Sequence, residues 1–130
     1  MASIFSKIIS GEIPCYKIAE DDTCLAFLDV SPLTKGHTLV IPKKEVDLLF
    51  DLPSADYHAV HAMAKNVAIA IKKVVSCKRI GSAVIGLEVP HAHVHLVPIS
   101  DIGDLDFTKE RVVQSTEEFK NLAKEIRKQL

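Results

Sequence analysis

His91-Ala92-His93-Val94-His95-Leu96-Val97 sets three imidazoles at alternate positions, spaced by small or apolar residues. Period-two alternation reads as an extended strand, in which like-facing neighbours stand ~7 Å apart. His91, His93 and His95 then share one face, and the apolar spacers argue that the opposite face is buried. Three imidazoles in a row suit either a bound metal ion or a reacting anion. Imidazole ligates metals, shuttles protons near neutral pH and can itself attack phosphorus. For a metal, two or three of these rings would need a further ligand, for which the chain offers His37 and its cysteines. For covalent catalysis, one ring attacks an electrophilic phosphorus while its neighbours two residues away hold the phosphate oxygens or serve the leaving group. The residues by themselves leave both chemistries open.

Working outward, Ile4–Ile9 reads as a short helix stopped at Ser10-Gly11. Pro14 leads into an extended segment from Cys15 to Ala19, and Asp21-Asp22 is a turn signal. Leu25–Leu28 is a short apolar strand ending at Asp29, before Ser31-Pro32. His37–Ile41 alternates, with His37, Leu39 and Ile41 on one face, and halts at Pro42. Ser54 reads as the N-cap of a long helix reaching about Val75, with a seam of Val60, Ala64, Val67, Ile71 and Val74. Met63, Ala68, Ile69 and Ala70 make that helix apolar around much of its girth, which predicts a second subunit or the chain's own C-terminal segment against it. Arg79–Ile85 and His91–Ile99 read as two further strands joined by Gly86–Pro90. Ser115–Glu118 is a capping box that opens a last helix striped by Phe119, Leu122, Ile126 and Leu130. Five short strands and two substantial helices without β-α-β alternation predict an α+β fold with an antiparallel sheet. With no glycine-rich phosphate loop, the Rossmann and P-loop folds are excluded.

The 130 residues, 48% hydrophobic and 25% charged, fit one domain over residues 1–130. A net charge of −1 gives no footprint for nucleic acid. Cys15, Cys24 and Cys77 are odd in number and form no C-x-x-C pair, as expected of buried thiols in a reducing compartment. No signal peptide and no membrane-spanning run is visible, so a cytoplasmic location without membrane partners is expected.

The run from His91 to Val97 resembles the motif of the histidine triad (HIT) family, His-φ-His-φ-His-φ-φ. The resemblance extends to Ile4–Pro14, Asp21–Asp29, Ser31-Pro32 and Gly36–Lys43, covering roughly residues 3–99, and is greatest to the Hint-type nucleoside phosphoramidases and their bacterial relatives. The helix at about 115–130 lies outside it. The resemblance implies a five-stranded antiparallel sheet, a homodimer, and a site that binds purine nucleoside monophosphates and cleaves at the α-phosphate. His93 would be the transiently nucleotidylated nucleophile, His95 the phosphate contact, His91 an orienting and relaying group, and His37 a further histidine beside them. Asp29 would hold the ribose hydroxyls, and Phe5, Ile8, Phe27, Val30 and Leu39 would build the base pocket. Without the resemblance, Asp29 reads as a strand-ending turn residue and His37 as a buried strand histidine. His58 and His61, on the long helix, carry no expected catalytic role.

The chain departs from the family pattern in two places. Bacterial relatives that hold structural zinc use Cys-x-x-Cys and two histidines, whereas here Ser3 and Ser6 replace the thiols and Glu45 stands at a histidine position, so no metal or other cofactor is expected. The family's asparagine and Gly-Gln-Ser/Thr loop before the triad is replaced by the shorter Ile85–Pro90, with Glu88 near the place of the hydroxyl residue. A carboxylate there repels phosphate unless protonated, turned away or paired, or it binds a cationic leaving group. The expected function is hydrolysis of purine nucleoside phosphoramidates or adenylates through a nucleotidyl-histidine. The alternatives are a dinucleoside polyphosphate hydrolase and a non-catalytic nucleotide-binding or scaffolding protein.

Overall fold

Ser3 begins the first helix by accepting a hydrogen bond from the Ser6 amide, and Gly11, at φ +88°, ends it in the left-handed conformation. In the computed structural model, which describes residues 2–130, this helix is α1 (Ile4–Ser10). After it come β1 (Lys17–Glu20), β2 (Cys24–Leu28), β3 (Thr38–Pro42), α2 (Ser54–Val74), β4 (Arg79–Ala83), β5 (Val94–Ile99) and α3 (Thr116–Arg127). Single 3₁₀ turns at Leu49–Asp51 and Ile102–Leu105 punctuate the connections. The five strands form one antiparallel sheet in the order β1-β2-β3-β5-β4. This is the α+β architecture expected.

Three local expectations are corrected. Ser54 is the first residue of α2, not its cap; Pro53 holds that place and its carbonyl accepts the Tyr57 amide at 2.9 Å. Proline's preset φ and missing N–H bring the chain into the helix one residue early. The strand expected over 79–85 stops at Ala83, which pairs with His95. Val84 and Ile85 have no ladder partner beyond it and are exposed. The strand expected over 91–99 begins only at Val94. Just before it, the Ala92 amide turns away to the Val46 carbonyl at 2.7 Å, and the His91 amide closes on Val89. His95 alone of the three histidines therefore lies in the sheet.

One face of the sheet carries Ile18, Cys24, Ala26, Leu28, Val40, Val94 and Leu96 against Val60, Ala64, Val67 and Ile71 of α2 and Phe119, Leu122 and Ile126 of α3. Tyr16 stacks on Phe119 at 4.9 Å between centroids. The C-terminal helix is thus one answer to the apolar girth of α2, although Ile69 remains exposed. The opposite face carries Leu25, Phe27, Leu39 and Ile41 beneath Phe5 and Ile8 of α1. The register Leu39↔His95 puts His95 on this second face. Gly36 delivers His37 to the same place. Its φ is +97°, and a Cβ there would stand 2.9 Å from Val75 Cγ2 and 3.1 Å from Pro98 Cγ, so only glycine fits.

Candidate active site

His93 and His95 stand edge to face at 4.9 Å and together form the floor of a cavity of about 290 Å³. Asp29, the Ile85–Val89 segment, Phe107 and Arg111 complete its lining.

The tautomers of these rings follow from what each one touches. His93 Nδ1 lies 2.7 Å from the His91 carbonyl oxygen. A carbonyl only accepts, so Nδ1 carries the hydrogen and, in the neutral ring, Nε2 presents the lone pair. His95 is set by a longer chain. The Leu33 amide donates to His37 Nδ1 at 3.0 Å, which leaves the hydrogen of His37 on Nε2. That Nε2–H donates to His95 Nδ1 at 2.9 Å, which leaves the hydrogen of His95 on Nε2. Two adjacent imidazoles therefore carry opposite polarity, a bare nitrogen on His93 and an N–H on His95. Burial holds this chain neutral. It pushes His37 down to about 3, helped by His95 and Arg111, and His95 down to about 4, helped by His93 and Arg111.

His91 is fully buried and its ring does not line the cavity. Its Nε2 meets the Pro42 carbonyl at 2.8 Å and so must donate, leaving Nδ1 to accept from Ser3 Oγ at 2.8 Å. Burial lowers its pKa, opposed by the Pro42 carbonyl and by Glu45. Ser3 and Ser6 are themselves held by Glu45, which accepts from the Ser3 amide and, at 2.7 Å, from Ser6 Oγ. Two hydroxyls, a carboxylate and an imidazole nitrogen already hydrogen-bonded are not a zinc donor set. These groups fasten α1 to the back of the triad instead.

Asp29 serves two ends. Its Oδ1 accepts the Ser31 amide at 2.8 Å, the turn role that the sequence suggests by itself, while Oδ2 lies 3.6 Å from His37 Nε2. Burial raises its pKa, partly offset by the Ser31 amide and the Arg111 charge. Asp29, His37 and His95 bring three potential metal ligands within 4.8 Å of one another. The facing nitrogens of the two rings are already joined by a shared hydrogen, so the trio is a hydrogen-bonded chain.

The apolar residues divide. Phe5, Phe27 and Leu39 pack together with Ile8 beside them, and Phe5 meets the His93 ring edge to face at 5.1 Å. Val30 is 67% exposed and lines a separate groove of about 830 Å³ between Tyr16 and α3, apart from the others. Glu88 is exposed at the cavity mouth. His58 and His61 are exposed on α2 beside Tyr57, and neither lines the cavity. Phe107 and Arg111 went unmarked in the sequence. Phe107 is 4.7 Å from the His95 ring, and Arg111 donates to the Ser31 carbonyl at 2.8 Å. They lie in a stretch without helical or strand period, so no local signal points to them.

A family profile for the HIT domain matches residues 10–102. A HIT-like protein of Borreliella burgdorferi is 37% identical over 131 residues, covering 95% of this chain and 94% of that one. An adenosine 5′-monophosphoramidase of Schizosaccharomyces pombe is 36% identical over 99 residues, 75% of this chain and 74% of the enzyme. Among solved structures, a Hit-like protein of Bartonella henselae involved in cell-cycle regulation superposes with a TM-score of 0.86 at 32% identity, over 98% of this chain and 96% of that one.

Proposed function

The chain belongs to the HIT family, and from that premise we propose that it is a nucleotide hydrolase cleaving at the α-phosphate of purine nucleoside phosphoramidates or adenylates. The observation that carries this reading is the opposed polarity of His93 and His95 on one cavity floor. His93 Nε2 attacks the α-phosphorus and the bond to the leaving amine breaks, the amine taking a proton from water at the open mouth. The ring becomes a nucleotidyl-imidazolium whose Nδ1–H stays on the His91 carbonyl, an acceptor suited to the positive charge. His95 Nε2–H donates to a non-bridging phosphate oxygen. Water then displaces the imidazole and releases the nucleoside monophosphate. His91 acts as a positioning residue through its carbonyl, while its buried ring is fastened to Pro42 and Ser3. Asp29 Oδ2 takes the ribose hydroxyls, and Phe5, Phe27, Leu39 and Ile8 back the base. The scheme uses no metal. The relative from S. pombe, an adenosine 5′-monophosphoramidase, supports the substrate class.

The shallow groove between α2 and β4, lined by His61, Ala68 and Ile80, supports a homodimer joined along that edge, with Ile69 and Val84 exposed near it. Among the described residues no helix is long and apolar enough to cross a membrane, and three free cysteines accord with a cytoplasmic setting.

The test is turnover of an adenosine phosphoramidate against a dinucleoside polyphosphate, with intact mass recorded on rapid quenching. Wild type turns over the phosphoramidate faster and shows an adenylylated species, and His93→Ala loses at least about 10³-fold in kcat without that adduct. A His93→Ala protein as active as wild type would overturn the assignment. Tight nucleotide binding without turnover would favour a binding protein.

A further inference from the structure

The cavity walls pose a charge problem. Asp29 and Glu88 contribute two carboxylates, and the two floor imidazoles include His95, held neutral. A phosphate entering this space meets one permanent cation among the described lining residues, Arg111. It arrives on a strap that follows β5. The Val112 amide bonds the Pro32 carbonyl at 2.9 Å, and Arg111 itself donates from Nη1 to Ser31 at 2.8 Å and from Nη2 to Phe107 at 3.3 Å. Its guanidinium also lies 5.8 Å from the centre of the Phe107 ring, which packs against His95. All these partners are neutral. Among the described residues no carboxylate forms an ion pair with Arg111 within 4.0 Å; Asp29 feels its charge only at longer range, and N–H groups remain to donate.

We propose that Arg111 is the phosphate-gripping residue of this site, a specificity determinant that binds the 5′-phosphate of the nucleotide and does the work of the polar loop absent between Ile85 and Pro90. The inference rests on the nucleotide reading above. Two carbonyls pre-orient the fork, which lowers the entropy of forming charge-assisted bonds to phosphate oxygens. The strap that brings Arg111 to the site also sets Phe107 over the His37–His95 pair, so phosphate binding and the exclusion of water from that pair depend on one segment.

The experiment is calorimetric binding of AMP and of adenosine to wild type, Arg111→Gln and Arg111→Lys, at low and raised salt. Arg111→Gln weakens AMP about 10- to 100-fold, the scale of a lost charge-assisted hydrogen bond, and leaves adenosine within about 2-fold. Arg111→Lys keeps part of the AMP preference. A clasp with no ligand role would instead weaken both ligands together, and that result overturns the proposal, as does an unchanged AMP affinity in Arg111→Gln. Should Arg111→Gln fail to fold, the wild-type salt series decides. AMP affinity falls with salt while adenosine affinity does not, and no such difference overturns the grip. Wild type that binds neither ligand overturns the nucleotide reading and this inference with it. Wild type that binds AMP with no help from Arg111 overturns the inference alone.

Discussion

The two faces of the sheet are built from different materials. Against α2 and α3 lies a dry aliphatic layer in which Val60, Val67, Ile71 and Ile126 have no exposed surface. Against α1 lies a thinner layer, Phe5, Leu25, Phe27, Leu39 and Ile41, continued by rings that hydrogen-bond one another and the backbone. The first face needs only volume and shape. The second needs every lone pair and N–H assigned, because a buried polar group left unpaired costs about 1–3 kcal/mol. Stability is therefore concentrated on one side and chemistry on the other.

Three measurements sharpen or break that division. The largest effect belongs to the aliphatic face. Ile126→Ala costs about 2–5 kcal/mol in urea unfolding, because that α3 side chain is fully buried in the layer shared with α2 and the sheet, while kcat of the folded protein stays near wild type. A large loss of kcat there would mean that the faces are not separable.

His37→Gln comes next. It removes the N–H that donates to His95 Nδ1 and puts there a carboxamide that can donate or accept, so that ring is free to adopt either tautomer and kcat falls roughly 100-fold, as for a misplaced catalytic group. The same substitution changes the response to acid. In the folded protein His37 and His95 stay neutral down to about 3 and about 4, whereas the unfolded chain protonates them near the ordinary 6.5. Between those limits the unfolded state binds more protons, so stability declines as pH falls from 6.5 towards 4 and below. Asp29 acts in the opposite sense near the bottom of the range, since its raised pKa lets the folded state take its proton first. Urea midpoints from about pH 7.5 to about pH 4.5 should fall less steeply in His37→Gln than in wild type, by about one proton's worth of slope. Parallel slopes would show that the pair is already charged when folded.

Ser3→Ala is the smallest. It removes the α1 cap and the donor to His91 Nδ1, for about 1–2 kcal/mol of stability. Turnover changes little, because the His91 carbonyl, and not its ring, holds His93. A steep loss of kcat with stability intact would instead assign the His91 ring a direct part in the chemistry.

The helical seam from Val60 to Val74 was readable because α2 buries one stripe, and burial writes its period into the chain; His37–Ile41 was readable as a strand by its apolar, β-branched run, although both of its faces are buried. The alternation at His91–His95 had another origin. Only His95 is in the strand; His91 and His93 keep the spacing while the backbone turns between Val89 and Val46. A sequence cannot distinguish a ladder from a turn that spaces side chains equally. Val30 shows the same limit, since its place in the chain suggests the base pocket and its side chain faces another groove.

Residue order alone determined the α+β class, the five strands and the presence of Ser3, Ser6 and Glu45, which are not the thiols and imidazole of a zinc donor set. Tertiary structure decided which nitrogen of each ring bears its hydrogen, because that depends on the carbonyls and amides of Pro42, His91 and Leu33 that the fold brings alongside. It also decided that Arg111 and Phe107 stand over the cavity. Their segment has no periodic burial to announce it, and its position is set by hydrogen bonds to Ser31 and Pro32, some eighty residues earlier in the chain.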